Sequence, residues 1–208
     1  CFTSPYGELG FQEYLRMEGM VYRLSPVVGS PVNLDWVASK LSKFKFCNAN
    51  KPGVYFDEEN HRHLGSIRLA FALGAKELAK AGRKEEAKKL LNLCDKNMLA
   101  ENFPIAMPSR RQDHNSFSLM FLDAAYEAGD SVLAKKYYSA IKKDAEQQAA
   151  YFQTVNSESL AIEENRNQGM LIQLEQMRQN GGNRAALPQP IPQTPVVDCT
   201  KIINKGTR

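Results

Sequence analysis

The chain carries one nine-residue phrase twice, as AGRKEEAKK at residues 81–89 and as AGDSVLAKK at residues 128–136. In both copies Ala-Gly is followed by four residues and then by Ala-Lys-Lys, and the offset from Gly82 to Gly129 is 47 residues. Each copy follows an apolar stretch of helical spacing and precedes another. Glycine is the usual residue in the left-handed position that ends a helix. The repetition therefore predicts two helical hairpins, each with its turn at the glycine.

The helices beside these turns can be placed from their capping residues and apolar spacing. Asp57 is a suitable N-cap for the first helix, and Gly82 would end it. Asp130 is expected to cap the helix that follows Gly129. The first helix also carries small residues, which let another helix approach closely. These are Ala72, Gly74, Ala75 and Ala79.

Different kinds of sequence flank the hairpins. In the first 56 residues the spacing predicts a helix over residues 11–17, a strand over residues 20–24 and a helix capped by Asn33, which the sole Trp36 would anchor to the core. Asn, Pro and Gly then predict a loop over residues 44–57. A further long helix is expected over residues 145–179. The proline-rich end of the chain is expected to be an extended tail.

These elements predict a mainly α fold with three parts. Residues 1–56 form a small mixed α/β segment packed on the repeats, residues 57–180 form the helical-repeat domain with its long C-terminal capping helix, and residues 181–208 form the tail. The repeats resemble tetratricopeptide hairpins, which stack in a right-handed superhelix. The matching positions are Ala75, Gly82, Ala87 and Leu91 in the first copy, and Leu122, Gly129, Ala134 and Tyr138 in the second. Leu122 departs from the small-residue position, and the offset of 47 residues exceeds the usual period of about 34, so an insertion with Pro104 and Pro108 separates the copies.

Composition sets limits on the function. The net charge is +4, with 43% hydrophobic and 24% charged residues, which is ordinary for a soluble domain and argues against nucleic acid as a partner. No apolar run approaches the roughly 20 residues that span a bilayer. The four cysteines lack the spacing of a zinc or redox motif and are interpreted as isolated buried thiols, with a disulfide as the alternative in an oxidising compartment. They are Cys1, Cys47, Cys94 and Cys199.

Three polar stretches invite a chemical role, and each has a simpler interpretation. His61 and His63 are two residues apart, so on a helix they point in different directions and are expected to lie at a solvated helix start. The run DHNS at residues 113–116 contains nucleophile and base residue types, but a polar loop in which Asn115 or Ser116 caps the next helix is favoured. The pair at residues 110–111, Arg-Arg, is expected to be a solvated loop. We predict no catalytic residue, cofactor site or metal site.

A family resemblance is carried by stretches outside the repeats. They are YGELG at residues 6–10, YLRMEGMVYRLSP at 14–26, FKF at 44–46 and NKPGVYFD at 50–57. These resemble the C-terminal soluble region of bacterial multi-spanning membrane glycosyltransferases of the protein O-mannosyltransferase-like type. The similarity covers most of residues 2–180, and Cys47 stands where that family usually has Gly. The resemblance implies that the catalytic acid lies in a membrane-embedded part outside this sequence, and that this region sits at the periplasmic face of the inner membrane.

The predicted function is that of a non-catalytic interaction module, which binds an acceptor protein, a partner or its own membrane domain. In a tetratricopeptide-like curve the first helix of each hairpin lines the concave side, where a peptide groove or a plain surface would lie. The candidate groove residues are Lys76, Lys80, Leu119, Asp123 and Tyr126. A free-standing soluble adaptor is the alternative. A third class, an enzyme, would require a deep pocket with clustered titratable groups.

Overall fold

The computed structural model describes residues 10–184 except 27, 30, 110, 111 and 156. Within these residues the fold is mainly helical, with six α-helices and one two-stranded antiparallel sheet. The strands are β1 (Leu15–Glu18) and β2 (Val21–Leu24). The helices are α1 (Leu34–Lys40), α2 (Glu58–Lys80), α3 (Lys84–Asn97), α4 (Asp113–Ala128), α5 (Ser131–Val155) and α6 (Ala161–Arg184). Short 3-10 turns occur at Gln12–Tyr14, Leu41–Lys43 and Glu158–Leu160.

The two predicted turns are present and have the same geometry. Gly82 has φ +82° and Gly129 has φ +74°, the left-handed conformation that glycine adopts without steric cost. In the first turn the Arg83 N–H donates to the Leu78 carbonyl at 2.9 Å, and in the second the Asp130 N–H donates to the Ala125 carbonyl at 2.9 Å. Both bonds are those of a Schellman motif. The prediction of two hairpins that turn at the repeated glycines is confirmed.

The hairpins pack side by side around one core. Helix α2 contacts α3 and α4, α4 contacts α5, and α6 lies against α5 and α4. The residues at the small-residue position of the repeats, Ala75 in the first copy and Leu122 in the second, are both fully buried. The larger leucine at the second position is therefore accommodated inside the core. Other fully buried apolar residues are Phe71, Leu91, Phe121, Ala124, Ala125, Ile141 and Leu174.

The predicted caps are confirmed at three helix starts. The side chain of Asn33 accepts from the Trp36 N–H at 3.2 Å, and that of Asp57 accepts from the Asn60 N–H at 2.8 Å. Asp130 accepts from the Leu133 N–H at 3.1 Å. The small residues of α2 also serve close packing, because a Cβ at Gly74 would come within 2.9 Å of Val37.

The predicted helix over residues 11–17 is wrong. The chain makes a 3-10 turn and then strand β1, which pairs with β2 in the register Leu15↔Leu24 and Glu18↔Val21. Burial alternates along β1, which is the strand period, and Gly19 at φ +69° supplies the tight turn. The ring of Trp36 lies against Gly19, where a Cβ would come within 2.6 Å of it. Trp36 thus joins α1 to the hairpin.

The single helix predicted over residues 145–179 is also wrong. Helix α5 continues from the second turn to Val155, and a 3-10 turn at Glu158–Leu160 precedes α6. Serine hydroxyls compete for local hydrogen bonds at such breaks, and Ser157 and Ser159 bond to each other there at 2.8 Å. Helix α6 runs past the predicted end because Gly181 is buried against the ring of Tyr126 and serves packing. The expectations for residues 185–208, Cys1, Cys199 and residues 110–111 lie outside the described residues.

Among the described residues, none of the helices combines the length and the apolar character needed to cross a membrane.

Candidate functional site

The predicted groove residues all lie on α2 or α4, the first helices of the two hairpins. Lys76 of α2 and Asp123 of α4 form an ion pair, with 2.6 Å between Nζ and Oδ2. Their side chains are 33% and 24% exposed, so the pair is half-buried and solvent screens it only in part. The two helices are thus joined by opposite charges at the place where the groove was predicted.

A cleft of about 500 Å³ opens beside this pair, and we call it the α4–α6 groove. Leu119 is buried in it, whereas Met120 is 46% exposed. Helix α6 contributes the opposite wall. The lining residues are Lys76, Ser116, Leu119, Met120, Asp123, Gln173 and Met177. The groove therefore combines three of the five predicted residues with two thioether side chains, which adapt to varied partners.

Lys80 and Tyr126 lie outside the lining of this groove. Lys80 is exposed and pairs with Glu77 at 2.7 Å on its own helix. Tyr126 is half-buried under α6, where its ring covers Gly181, and this burial raises the pKa of its hydroxyl. Tyr126 therefore packs against α6 and does not line the groove.

A charged cluster joins α6, which forms one wall of the α4–α6 groove, to α5. Glu175 of α6 accepts hydrogen bonds from the Tyr138 hydroxyl, from Arg178 Nε at 2.8 Å and from Lys142 Nζ at 3.4 Å. The Tyr138 hydrogen bond and the Arg178 hydrogen bond are the main reasons that the pKa of Glu175 falls to about 2. The carboxylate stays ionised at neutral pH, so the contact between α5 and α6 persists there.

A second polar arrangement is buried in the core and was missed from the sequence. Arg68 of α2 is 1% exposed. Its guanidinium donates to the carbonyls of Pro104 at 3.1 Å and Phe103 at 3.2 Å, and to Ser118 Oγ at 3.0 Å. It also lies 4.2 Å from the centre of the Phe103 ring. Within the described part of the chain, carbonyl dipoles and an aromatic face solvate this cation, and no ion pair neutralises it.

His114 of α4 completes this arrangement. Its Nε2 lies 2.8 Å from the Pro104 carbonyl oxygen, which can only accept, so Nε2 carries the proton. Burial, and next the charge of Arg68, lower the pKa of His114 to about 4. The ring is therefore neutral at physiological pH. Its Nε2–H joins α4 to the carbonyl of Pro104 in the preceding segment.

Asn115, in the same run, connects α4 to neighbouring segments. The Asn115 side chain accepts from the Met107 N–H at 3.0 Å and donates to Asp144 at 2.7 Å. The N–H of His114, the second residue of α4, is satisfied by Ser109 Oγ at 3.0 Å. The prediction that Asn115 or Ser116 caps α4 is therefore wrong, since both lie inside the helix.

The other two histidines differ from each other. His63 is exposed, as predicted. The expected solvated position is wrong for His61, which is half-buried, donates from Nε2 to the Asn102 carbonyl at 2.9 Å and packs near Phe103. Among the described residues there is no group of three or more His, Cys, Asp or Glu side chains that could hold a metal ion.

The two described cysteines also differ. Cys94 is fully buried, as predicted, and burial raises the pKa of its thiol to about 12. Cys47 is exposed, so the prediction of a buried thiol is wrong there. Its backbone has φ +48°, in a turn where glycine would meet no strain.

Arg68 and Gln112 are among the buried polar residues that were not predicted from the sequence. Arg68 has a detectable signal, because it falls between Leu64 and Phe71 on the apolar face of α2. Gln112 has no such signal in the sequence. It precedes α4, has φ +58° and is 6% exposed.

Comparisons of the chain with protein-family models, with curated proteins and with solved structures returned no match.

Proposed function

We propose that this chain is a non-catalytic helical-repeat interaction module that binds a peptide segment of a partner protein in the α4–α6 groove. The observation that carries the proposal is the groove itself, which is open and lined by a half-buried ion pair, a leucine and two methionines. Such a mixed lining suits a peptide that carries both apolar and charged side chains.

The proposal includes the repeat class and the setting that the sequence resemblance implies. The repeated turn geometry at Gly82 and Gly129 supports tetratricopeptide-like hairpins. In the proposed setting the module is the periplasmic C-terminal part of a membrane glycosyltransferase-like protein. Its partner is then an acceptor protein, a second subunit or the parent membrane domain. The reading frame upstream of Cys1 separates this setting from a free-standing adaptor, since only the first requires multiple apolar spans there.

Selection from a phage-displayed library of random peptides tests the groove. We expect the purified chain to enrich peptides with a common pattern of apolar and charged residues. Met120→Ala should weaken their binding, because Met120 is exposed and lines the groove. Val132→Ala is the matched control, since Val132 is 80% exposed and outside the groove. Neither change should lower the melting temperature much, because both side chains are largely solvated.

Two results would contradict the proposal. One is a selection without enrichment over an unrelated helical protein. The other is equal binding of the enriched peptides to the Met120→Ala and Val132→Ala variants, which would place them elsewhere on the surface.

A further inference from the structure

A second cleft, of about 470 Å³, lies at the other end of α4, and we call it the Gln112 cleft. It is bounded by the segment before α4, by the C-terminal half of α5 and by the start of α6. Tyr151 and Phe152 supply an aromatic wall, with ring centroids 5.7 Å apart in an edge-to-face arrangement. None of its lining residues belongs to the α4–α6 groove.

Gln112 is the unusual member of this cleft. Its side chain is 6% exposed, and both Oε1 and Nε2 lack a hydrogen-bond partner among the described residues. Buried carboxamides are nearly always paired, because an unpaired one forfeits its hydrogen bonds to water on folding. The unpaired donor and acceptor therefore leave Gln112 able to pair with a bound ligand.

The chemistry of the carboxamide defines its ligand. Its oxygen accepts and its NH₂ donates on the same planar edge, so its complement offers one carbonyl and one N–H side by side, as a single residue of an extended chain does. The adjacent aromatic wall suits an apolar side chain. The charged side chains of the lining are Asp144, Glu163 and Arg166, and Asp144 accepts from Asn115 and Gln148.

We propose that the Gln112 cleft binds an extended peptide segment, in which the N–H and C=O of one residue pair with the Gln112 carboxamide while an apolar side chain packs on Tyr151 and Phe152. Rotation of the Gln112 side chain, which no hydrogen bond holds, presents the carboxamide to the ligand. This site does not depend on the α4–α6 groove, so either site can fail without the other.

The test uses N-acetyl-L-leucine N-methylamide as the probe and two variants. Titration is followed by the backbone amide NMR signals of Tyr151 and Phe152. Gln112→Met keeps the length of the side chain but removes the pairing, and should weaken binding about tenfold or more. Gln176→Met is the matched control, because Gln176 is an exposed glutamine of α6 outside the cleft. It should bind as the wild type does.

Melting temperatures separate lost pairing from lost folding. Gln112→Met should melt at a higher temperature than the wild type, because it removes two unpaired buried atoms. If that variant does not fold, Gln112→Gly removes the carboxamide at a position of φ +58° that glycine adopts freely. The proposal is overturned if the probe leaves the Tyr151 and Phe152 signals unmoved, if the carboxamide-free variant binds like Gln176→Met, or if Gln112→Met lowers the melting temperature.

Discussion

Acidification from pH 7 to pH 4.5 is expected to destabilise the fold through one residue, His114. Burial and the nearby Arg68 charge lower the pKa of this histidine to about 4, whereas its ordinary value is 6.5. Between these values the unfolded chain binds a proton that the folded chain excludes. The free energy of unfolding is therefore not reduced by His114 above about pH 6.5. The reduction grows as the pH falls towards about 4.

The size of this effect follows from the two pKa values. At pH 4.5 the unfolded histidine is almost fully protonated and the folded one mostly neutral, which gives a loss of about 2.5 kcal/mol at roughly 1.36 kcal/mol per pKa unit. His114 is only 7% exposed, so solvent screening reduces this little. The carboxylates with lowered pKa values, such as Glu175 and Asp57, lose their contributions below this window.

Urea unfolding followed by circular dichroism, at constant ionic strength and several pH values, measures the slope. His114→Gln keeps an N–H at the position of Nε2 but does not titrate, so its stability should be nearly flat between pH 6.5 and pH 4.5. His63→Gln, at an exposed site, should keep the wild-type slope. The reasoning is refuted if the His114→Gln variant loses stability as steeply as the wild type, or if the His114 ring signals titrate near pH 6.5 by NMR.

Two further changes test the core and the repeat. Arg68→Met should lower the free energy of unfolding by about 4 kcal/mol, because several buried acceptors lose their donor. Urea unfolding measures this loss. A loss of less than about 1 kcal/mol would contradict the prediction. Gly82→Ala and Gly129→Ala should each cost about 1 kcal/mol, because both need positive φ while no described side chain lies within 4 Å of the added Cβ. Their costs should add in the double variant, and clearly unequal costs would contradict the equivalence of the two turns.

The hairpins could be predicted from the sequence because their signals are local. A glycine in a left-handed turn and a carboxylate at a helix start act within a few residues, so Gly82, Gly129 and Asp130 were identified correctly. The failures at the N-terminal segment and at α6 have two different causes. Residues 11–17 are too few for their apolar spacing to separate a helix from strand β1, which pairs with β2 only two residues further on. Gly181 remains helical because Tyr126, which is distant in sequence, packs against it.

The candidate sites likewise combine residues that the sequence could place with residues that it could not. Lys76 and Asp123 could be placed together because each lies on the first helix of a predicted hairpin, and the hairpins are neighbours. The walls that α6 adds could not, since they depend on the break between α5 and α6. Gln112 is recognisable only from its burial without partners, which is a property of the folded chain.

The buried Arg68 gives a physical reason for the unusual offset of 47 residues between the repeats. The insertion that lengthens the offset supplies the carbonyls of Phe103, Pro104 and Ile105 to its guanidinium. The same insertion reaches the N-terminal segment, where the Asn102 side chain donates to the carbonyls of Ala49 at 3.0 Å and Lys51 at 2.7 Å.

A shorter connection would leave the cation of Arg68 without these acceptors, and a buried charge without acceptors is strongly destabilising. Arginine on the apolar face of α2 and a long connection after α3 therefore require each other. Because the connection also holds residues 49 and 51, the N-terminal segment and the two hairpins share one core. The insertion thus contributes to the core that the two hairpins and the N-terminal segment share, through Met98 and Phe103.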